Sequence, residues 1–490
     1  MLKHTVRHCE VLRSNLIILL LLPIGVFAQN QTAIRYSQFI TAADIKQNIT
    51  VLASDSLEGR ETGQPGQKKA ANYIAKQFES FGIPKIDSSG YFQRYFLYKN
   101  TPNKVSVSVD GKELSFLEDY IHFSDFDNDT IESNEVLFLK NNISNVDNKV
   151  VFVKIKNCTD EQVQKLMNSK AKAIFFITDN IDYTTYLKLV FLHYKHEREN
   201  TISAEMLKHK TPCFNINKKC FNKMFSFSQR RFKDQVISKK INIKISINAP
   251  YLEGENVLGY VEGSDLKEEL IVVSAHYDHL GFHDGKIYHG ADDDASGTSA
   301  IIALAKAFAQ AKKEGNGPRR SILFLAVSGE EKGLLGSSYY SEHPVFPLQN
   351  TVADLNIDMI GRIDTTYKTD PNYIYLIGSD KLSTELHNIS DSANTMYTQL
   401  KLDYKFNDPK DKNRFYYRSD HYNFAKHNIP VIFYFNGVHE DYHKPTDTVD
   451  KINFDKVEKI SKLVFFTAWE LANRDKRIVV DKENDFKGTR

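Results

Sequence analysis

SILFLAVSGEEKGLLGS, residues 321–337, starts with a run that is apolar after Ser321 and reaches two adjacent glutamates, Glu330 and Glu331, before a glycine-rich turn. An uninterrupted apolar run of six residues, without the alternation of a half-exposed strand, reads as a strand buried on both faces. Two like charges at its end stand at the rim of the core, and that placement needs a chemical reason.

The same pattern extends on either side. Residues 270–275 and 429–435 are largely apolar runs of strand length, and 354–357 is read as a further short strand. Residues 295–311 read as a helix with Ala300, Ile301, Leu304, Ala305 and Phe308 on one face, and residues 454–472 as an amphipathic helix. Strands alternating with helices predict an α/β fold, a mostly parallel mixed sheet sandwiched by helices. Upstream, residues 41–53 and 67–81 read as helices, the second with Ala70, Tyr73, Ile74, Phe78 and Phe81 at helical spacing. Between them and the sheet the composition shifts toward Lys, Asn, Tyr and Phe. Strands at 149–155 and 173–178 and a helix at 160–168 there predict a smaller inserted α+β domain. The expected division is an export signal at 1–28, a first part of the catalytic domain at 29–100, the insert at 101–248, the remaining catalytic domain at 249–475 and a polar tail at 476–490.

Bulk properties narrow the partners. With 490 residues, 41% of them apolar, the chain can bury a large core. Lys+Arg 64 against Asp+Glu 62 offers no electrostatic case for nucleic acid or an anionic membrane. Lys3, Arg7 and Arg13 precede an apolar stretch from Leu16 to Phe27 that ends at Ala28, the layout of a secretory signal and too short for a membrane span. The chain is therefore expected to be exported, periplasmic or extracellular, without stable membrane insertion once the signal is removed. Cys158, Cys213 and Cys220 remain; Cys213 and Cys220 are the nearest pair, but three thiols make no disulfide framework.

In open α/β sheets, functional groups gather beyond the carboxyl ends of the strands. After 270–275 come His276 and Asp278, followed by the loop Gly290-Ala-Asp-Asp-Asp-Ala-Ser-Gly297; after 321–327 come Glu330 and Glu331; after 354–357 comes Asp358; after 429–435 comes a loop holding Tyr442, His443 and Asp447. Any one of these is an ordinary cap or solvated acid. Together at one edge they are prohibitive unless cations neutralise them. Imidazole with carboxylate suits zinc, with cobalt or manganese as substitutes. If Asp292 bridges two Zn²⁺, His276 and Asp358 complete one site and Glu331 and His443 the other. Three carboxylates and a bridging hydroxide then balance four positive charges. Glu331 holds metal while its neighbour Glu330, directed at the trapped water, serves as general base.

SAHYDHLG (274–281), GADDDASGT (290–298), SGEEKGLLGS (328–337), NIDMIGR (356–362), RSDHYNFAKHNIP (418–430) and YHKPTDT (442–448) together resemble the M28 family of zinc exopeptidases, the dinuclear aminopeptidases. LEGRETGQPG (57–66) resembles that family's N-terminal segment. The resemblance implies the same ligands, His276, Asp292, Glu331, Asp358 and His443, with Glu330 as base. It implies that Asp278 orients His276, that Asp447 supports His443 in preference to its rival His439, and that Tyr416 stabilises the oxyanion. It further implies peptide substrates cleaved at the N-terminal bond. The insert resembles a protease-associated domain by its position and strand pattern. Two other readings stay open: a glutaminyl cyclase-like zinc enzyme, for which the lone Trp469 is an awkward fit, and an inactive binding protein, which would not be expected to keep all six site residues.

Overall fold

The computed structural model describes residues 29–99, 104–122, 129–140, 145–178, 188, 202–203, 211–225, 233–246, 251–368 and 370–484. The expected export signal lies outside the described residues.

The strands of the main sheet are Phe92–Lys99 (β1), Tyr251–Val261 (β2), Leu266–His276 (β3), Arg320–Val327 (β4), Thr351–Ile357 (β5), Tyr373–Ile377 (β6), Lys401–Asp403 (β7) and Val431–Phe435 (β8). They are ordered β7-β6-β8-β5-β3-β4-β2-β1, and the two-residue strand Ile202–Ser203 adds to β1 at the edge. The centre, β8-β5-β3-β4, is parallel, while β1 and β2 on one flank and β6 against β8 on the other run antiparallel. The expected α/β sandwich is present, with its parallel character concentrated where the site residues emerge.

The central strands read as unbroken apolar runs because both faces are covered. Ile271, Val273 and Ala275 of β3 pack with Ile322, Phe324 and Ala326 of β4 into one core. Leu270 and Val272 join Leu323, Leu325, Tyr340 and Phe424 in the core on the opposite face. The first core is closed by helices Pro65–Ser80 (α1), Ala295–Lys313 (α2) and Phe454–Asn473 (α3). Phe308 of α2 meets Phe465 of α3 at 4.8 Å between ring centroids and Trp469 at 5.6 Å. Trp469 is thus a packing residue between helices.

A second, eight-stranded sheet is drawn from residues 104–246, with helices Asp160–Met167 and Lys218–Met224 beside it. Its core is aromatic: Phe152 stacks on Phe175 at 4.6 Å and Phe175 on Phe214 at 4.8 Å. Cys158, Cys213 and Cys220 are free thiols, so the nearest pairing is not made.

Candidate metal centre

Parallel register brings the carboxyl ends of the central strands level, His276 opposite Val327 and Ser274 opposite Asn356. Side chains just beyond those ends therefore converge. His276 Nε2 lies 3.3 Å from Asp293 Oδ1 and 3.6 Å from Asp358 Oδ1. His443 Nε2 lies 3.1 Å from Asp293 Oδ2 and 3.2 Å from Glu331 Oε2. Asp293 thus offers one oxygen to each of two imidazole–carboxylate pairs, the geometry of a bridging ligand.

That position was expected for Asp292, and the structure corrects it by one residue. The Asp292 carboxylate turns to the opposite side, where Oδ1 accepts Gly361 N at 2.6 Å and Oδ2 stands 3.2 Å from His439 Nε2. The third aspartate of the run, Asp294, caps α2, accepting Gly297 N at 2.8 Å and Met359 N at 3.1 Å. Three identical neighbours have three jobs because the backbone there is pinned on both sides. Asp447 Oδ2 accepts the amides of Asp292 and Asp293 at 3.0 and 3.1 Å.

The remaining site residues are found as follows. The Asp278 carboxylate accepts Thr62 Oγ1 at 2.7 Å and Glu330 N at 3.2 Å, while its backbone carbonyl stands 3.1 Å from His276 Nδ1, so the residue ties the imidazole to the strand end that carries Glu330. Glu330 lines one cavity with His276, Asp293, Asp358, Arg418, Tyr442 and His443. Burial pushes its carboxyl well above the usual range; Glu331, Asp358 and Asp420 add to this and His276 opposes it. Tyr416 does not reach that cavity. It lines a separate one with Lys381, Phe406 and Arg414, its ring against Gly378, because the short helical turn at 415–417 points Phe415 inward toward the site and Tyr416 away. Tyr442, stacked on His443 at 3.8 Å, is the tyrosine at the site.

Several contributors were not picked out as functional in the sequence. His279 Nδ1 lies 2.7 Å from Glu331 Oε1, which leaves Oε2 directed at His443. Ser419 Oγ donates to Asp358 Oδ2 at 2.7 Å. Arg60 is buried, donating to the carbonyls of Leu52, Tyr277, His289 and Gly290. Burial lowers its pKa to about 10, while Asp278, Asp293, Asp294 and Asp447 pull it upward. It holds the 277–290 loop and places a fixed positive charge behind the acids. Gly59 beside it has φ 69°, and a Cβ there would meet the carbonyls of Gly281 and Tyr288 at 2.5 Å, so the two segments touch backbone to backbone.

The donor set fits divalent cations. His279 Nε2 is buried without a hydrogen-bond partner among the described residues, and Asp293 Oδ2 is buried facing imidazole nitrogen. Burial lowers the pKa of His443, yet Asp293 and Glu331 outweigh it and lift the imidazole to about 10. A pocket that draws positive charge so strongly, through nitrogen and carboxylate oxygen, matches the preferences of zinc.

Comparison with known proteins follows the same line. Residues 256–468 match the model of peptidase family M28. Over 212 residues the chain is 32% identical to a probable leucine aminopeptidase of Arthroderma otae, covering 42% of this chain and 55% of that protein. Over 231 residues it is 25% identical to aminopeptidase YwaD of Bacillus subtilis, covering 46% of each. A solved structure described as BSAP, a zinc aminopeptidase from Bacillus subtilis, aligns with a TM-score of 0.48 at 18% identity, over 91% of this chain and 99% of that one. The chain spans about half the length of the curated relatives it matches.

Proposed function

We propose that the chain is an exported dinuclear zinc aminopeptidase of peptidase family M28, whose model residues 256–468 match. The observation that carries the reading is the Asp293 carboxylate among the five residues His276, Asp293, Glu331, Asp358 and His443: one oxygen faces His276 and Asp358 and the other faces His443 and Glu331, where His279 also converges, with Glu330 on the same cavity wall. A pair of zinc ions held by these five residues would polarise a peptide carbonyl and acidify water, with cobalt or manganese able to substitute.

The chain's own residues supply the rest. Glu330, made a stronger base acceptor by burial, takes the proton of the attacking water and returns it to the leaving amine. The Asp278 backbone carbonyl and the Ser419 hydroxyl keep His276 and Asp358 oriented. Met359, Phe415, Phe433, Phe435 and Val438 form an apolar wall beside Asp358, suited to a large apolar side chain on the first residue of the peptide. Residues 101–248, read as a protease-associated-like insert, belong to this proposal as a shaper of the cleft rim. The export signal at 1–28 belongs to it as the route out of the cell.

The test is a panel of peptides differing only in the first residue, assayed with and without chelator. Release of N-terminal Leu or Phe, faster than Lys or Glu and abolished by chelation, is the expected result. Ammonia release from an N-terminal glutamine peptide would point to the cyclase reading instead. A mature N-terminus at Gln29 is expected from the exported protein.

A further inference from the structure

His443 is the most loosely seated of the five candidate ligands. Its side chain is 38% exposed, against 1% for His276, and its φ of 54° lies in the left-handed region that a side chain with a Cβ disfavours. Such a conformation persists only where the surroundings over-determine it. The 436–451 loop provides that constraint, and its contacts converge on Arg362, four residues beyond Asp358. Arg362 N donates to Asn436 Oδ1 where the loop begins. Its Nη2 donates to Asp441 Oδ2 at 2.9 Å, two residues before His443, and its Nη1 stands 3.8 Å from Asp447 Oδ1, four residues after it. Asp441 also accepts Thr446 Oγ1 at 2.6 Å and Lys451 Nζ at 2.7 Å, which closes the loop on itself. Asp447 in turn holds the amides of Asp292 and Asp293.

We infer that Arg362 is a positioning residue for one half of the metal centre: by hydrogen-bonding Asp441 and facing Asp447 as a counter-charge, on either side of His443, it holds that imidazole in its left-handed conformation against Glu331 and Asp293. The guanidinium's partners are Glu440, Asp441 and Asp447 of the loop, so it acts through the loop. The other half of the centre, His276 with Asp358, stands on strand ends and is linked to this loop through Asp293, whose amide Asp447 accepts. The two cations should therefore respond differently to its loss. This inference rests on the dinuclear reading above.

The experiment is a Zn²⁺ titration of full-length apoprotein by calorimetry, with metal content measured after dialysis, for the wild type, Arg362→Met, Arg362→Lys and His443→Ala. Wild type is expected to bind two ions. Arg362→Met should keep one tight ion and bind the second at least tenfold more weakly, as His443→Ala does, with Arg362→Lys in between. If Arg362→Met does not fold, Asp441→Asn takes its place and should weaken the same ion. Wild-type protein that binds fewer than two ions would overturn the dinuclear reading. Wild type binding two while the variants bind both unchanged, or lose both equally, would overturn the role of Arg362 alone.

Discussion

Ser419 and Asp358 meet in a buried hydrogen bond, the hydroxyl donating to Asp358 Oδ2 at 2.7 Å while Oδ1 remains turned toward His276. Ser419 itself accepts Asn356 Nδ2 at 2.9 Å, and Ser274 stands 3.0 Å from Asn356 Oδ1, so a short polar chain runs back into the sheet from the carboxylate. Ser419→Ala should fold and still bind metal, with affinity for the ion at His276 reduced by about 10–100-fold. Competition against a chelator of known affinity measures it.

The one-residue correction in the aspartate run is directly checkable. Asp293→Asn should lose both ions, because one oxygen of that carboxylate serves each half. Asp292→Asn should retain both and disturb mainly the contacts to Gly361 and His439. Metal analysis of the two purified variants distinguishes them, and the reverse pattern would restore Asp292 to the bridging position.

Glu330→Gln keeps the shape and loses the base. Both ions should stay bound, while kcat falls by about 10²–10⁴-fold with little change in KM. Glu331→Gln should instead deplete the ion at His443. Turnover of Glu330→Gln near that of the wild type would remove Glu330 as the base.

Lys456, in the first turn of α3, is buried and lies over the Tyr373 ring at 3.5 Å, its ammonium without a hydrogen bond among the described residues. Burial lowers its pKa to about 7, with Asp292, Asp364 and Asp370 opposing. Below pH 7 both the folded and unfolded forms carry the proton, and the full penalty of burying the charge is present. Between pH 7 and the unfolded value near 10.4 the unfolded chain binds more protons, so stability rises with pH. Lys456→Met should therefore stabilise the protein at pH 6 by about 1–3 kcal/mol after loss of the cation–π contact is counted. The gain should disappear by about pH 10. Denaturant melts of both proteins at the two pH values measure this.

Local pattern carried much of the fold. Residues 295–311 extend to Ala295–Lys313, 321–327 to Arg320–Val327, and 454–472 to Phe454–Asn473. Strands buried on both faces and long amphipathic helices write their burial into composition. β1, β2, β6 and β7 are not among the strands read from the sequence, although β6 is an apolar run buried throughout and carries the same signal. β1 carries the polar and charged residues Gln93, Arg94 and Lys99 and lies on the antiparallel flank, while β7 is only three residues long.

At the centre, chain order alone sufficed to bring His276, Glu330, Glu331, Asp358 and His443 to one sheet edge, because each follows a strand in a parallel sheet. It could not tell Asp292 from Asp293, or show that Tyr416 turns to another cavity. Neighbours of one residue type share composition and spacing, and differ only in the direction their side chains leave the backbone. Contacts distant in sequence set that direction: Gly361 and His439 draw Asp292 to one side, Asp447 pins the amides, and Gly378 backs Tyr416 into another cavity.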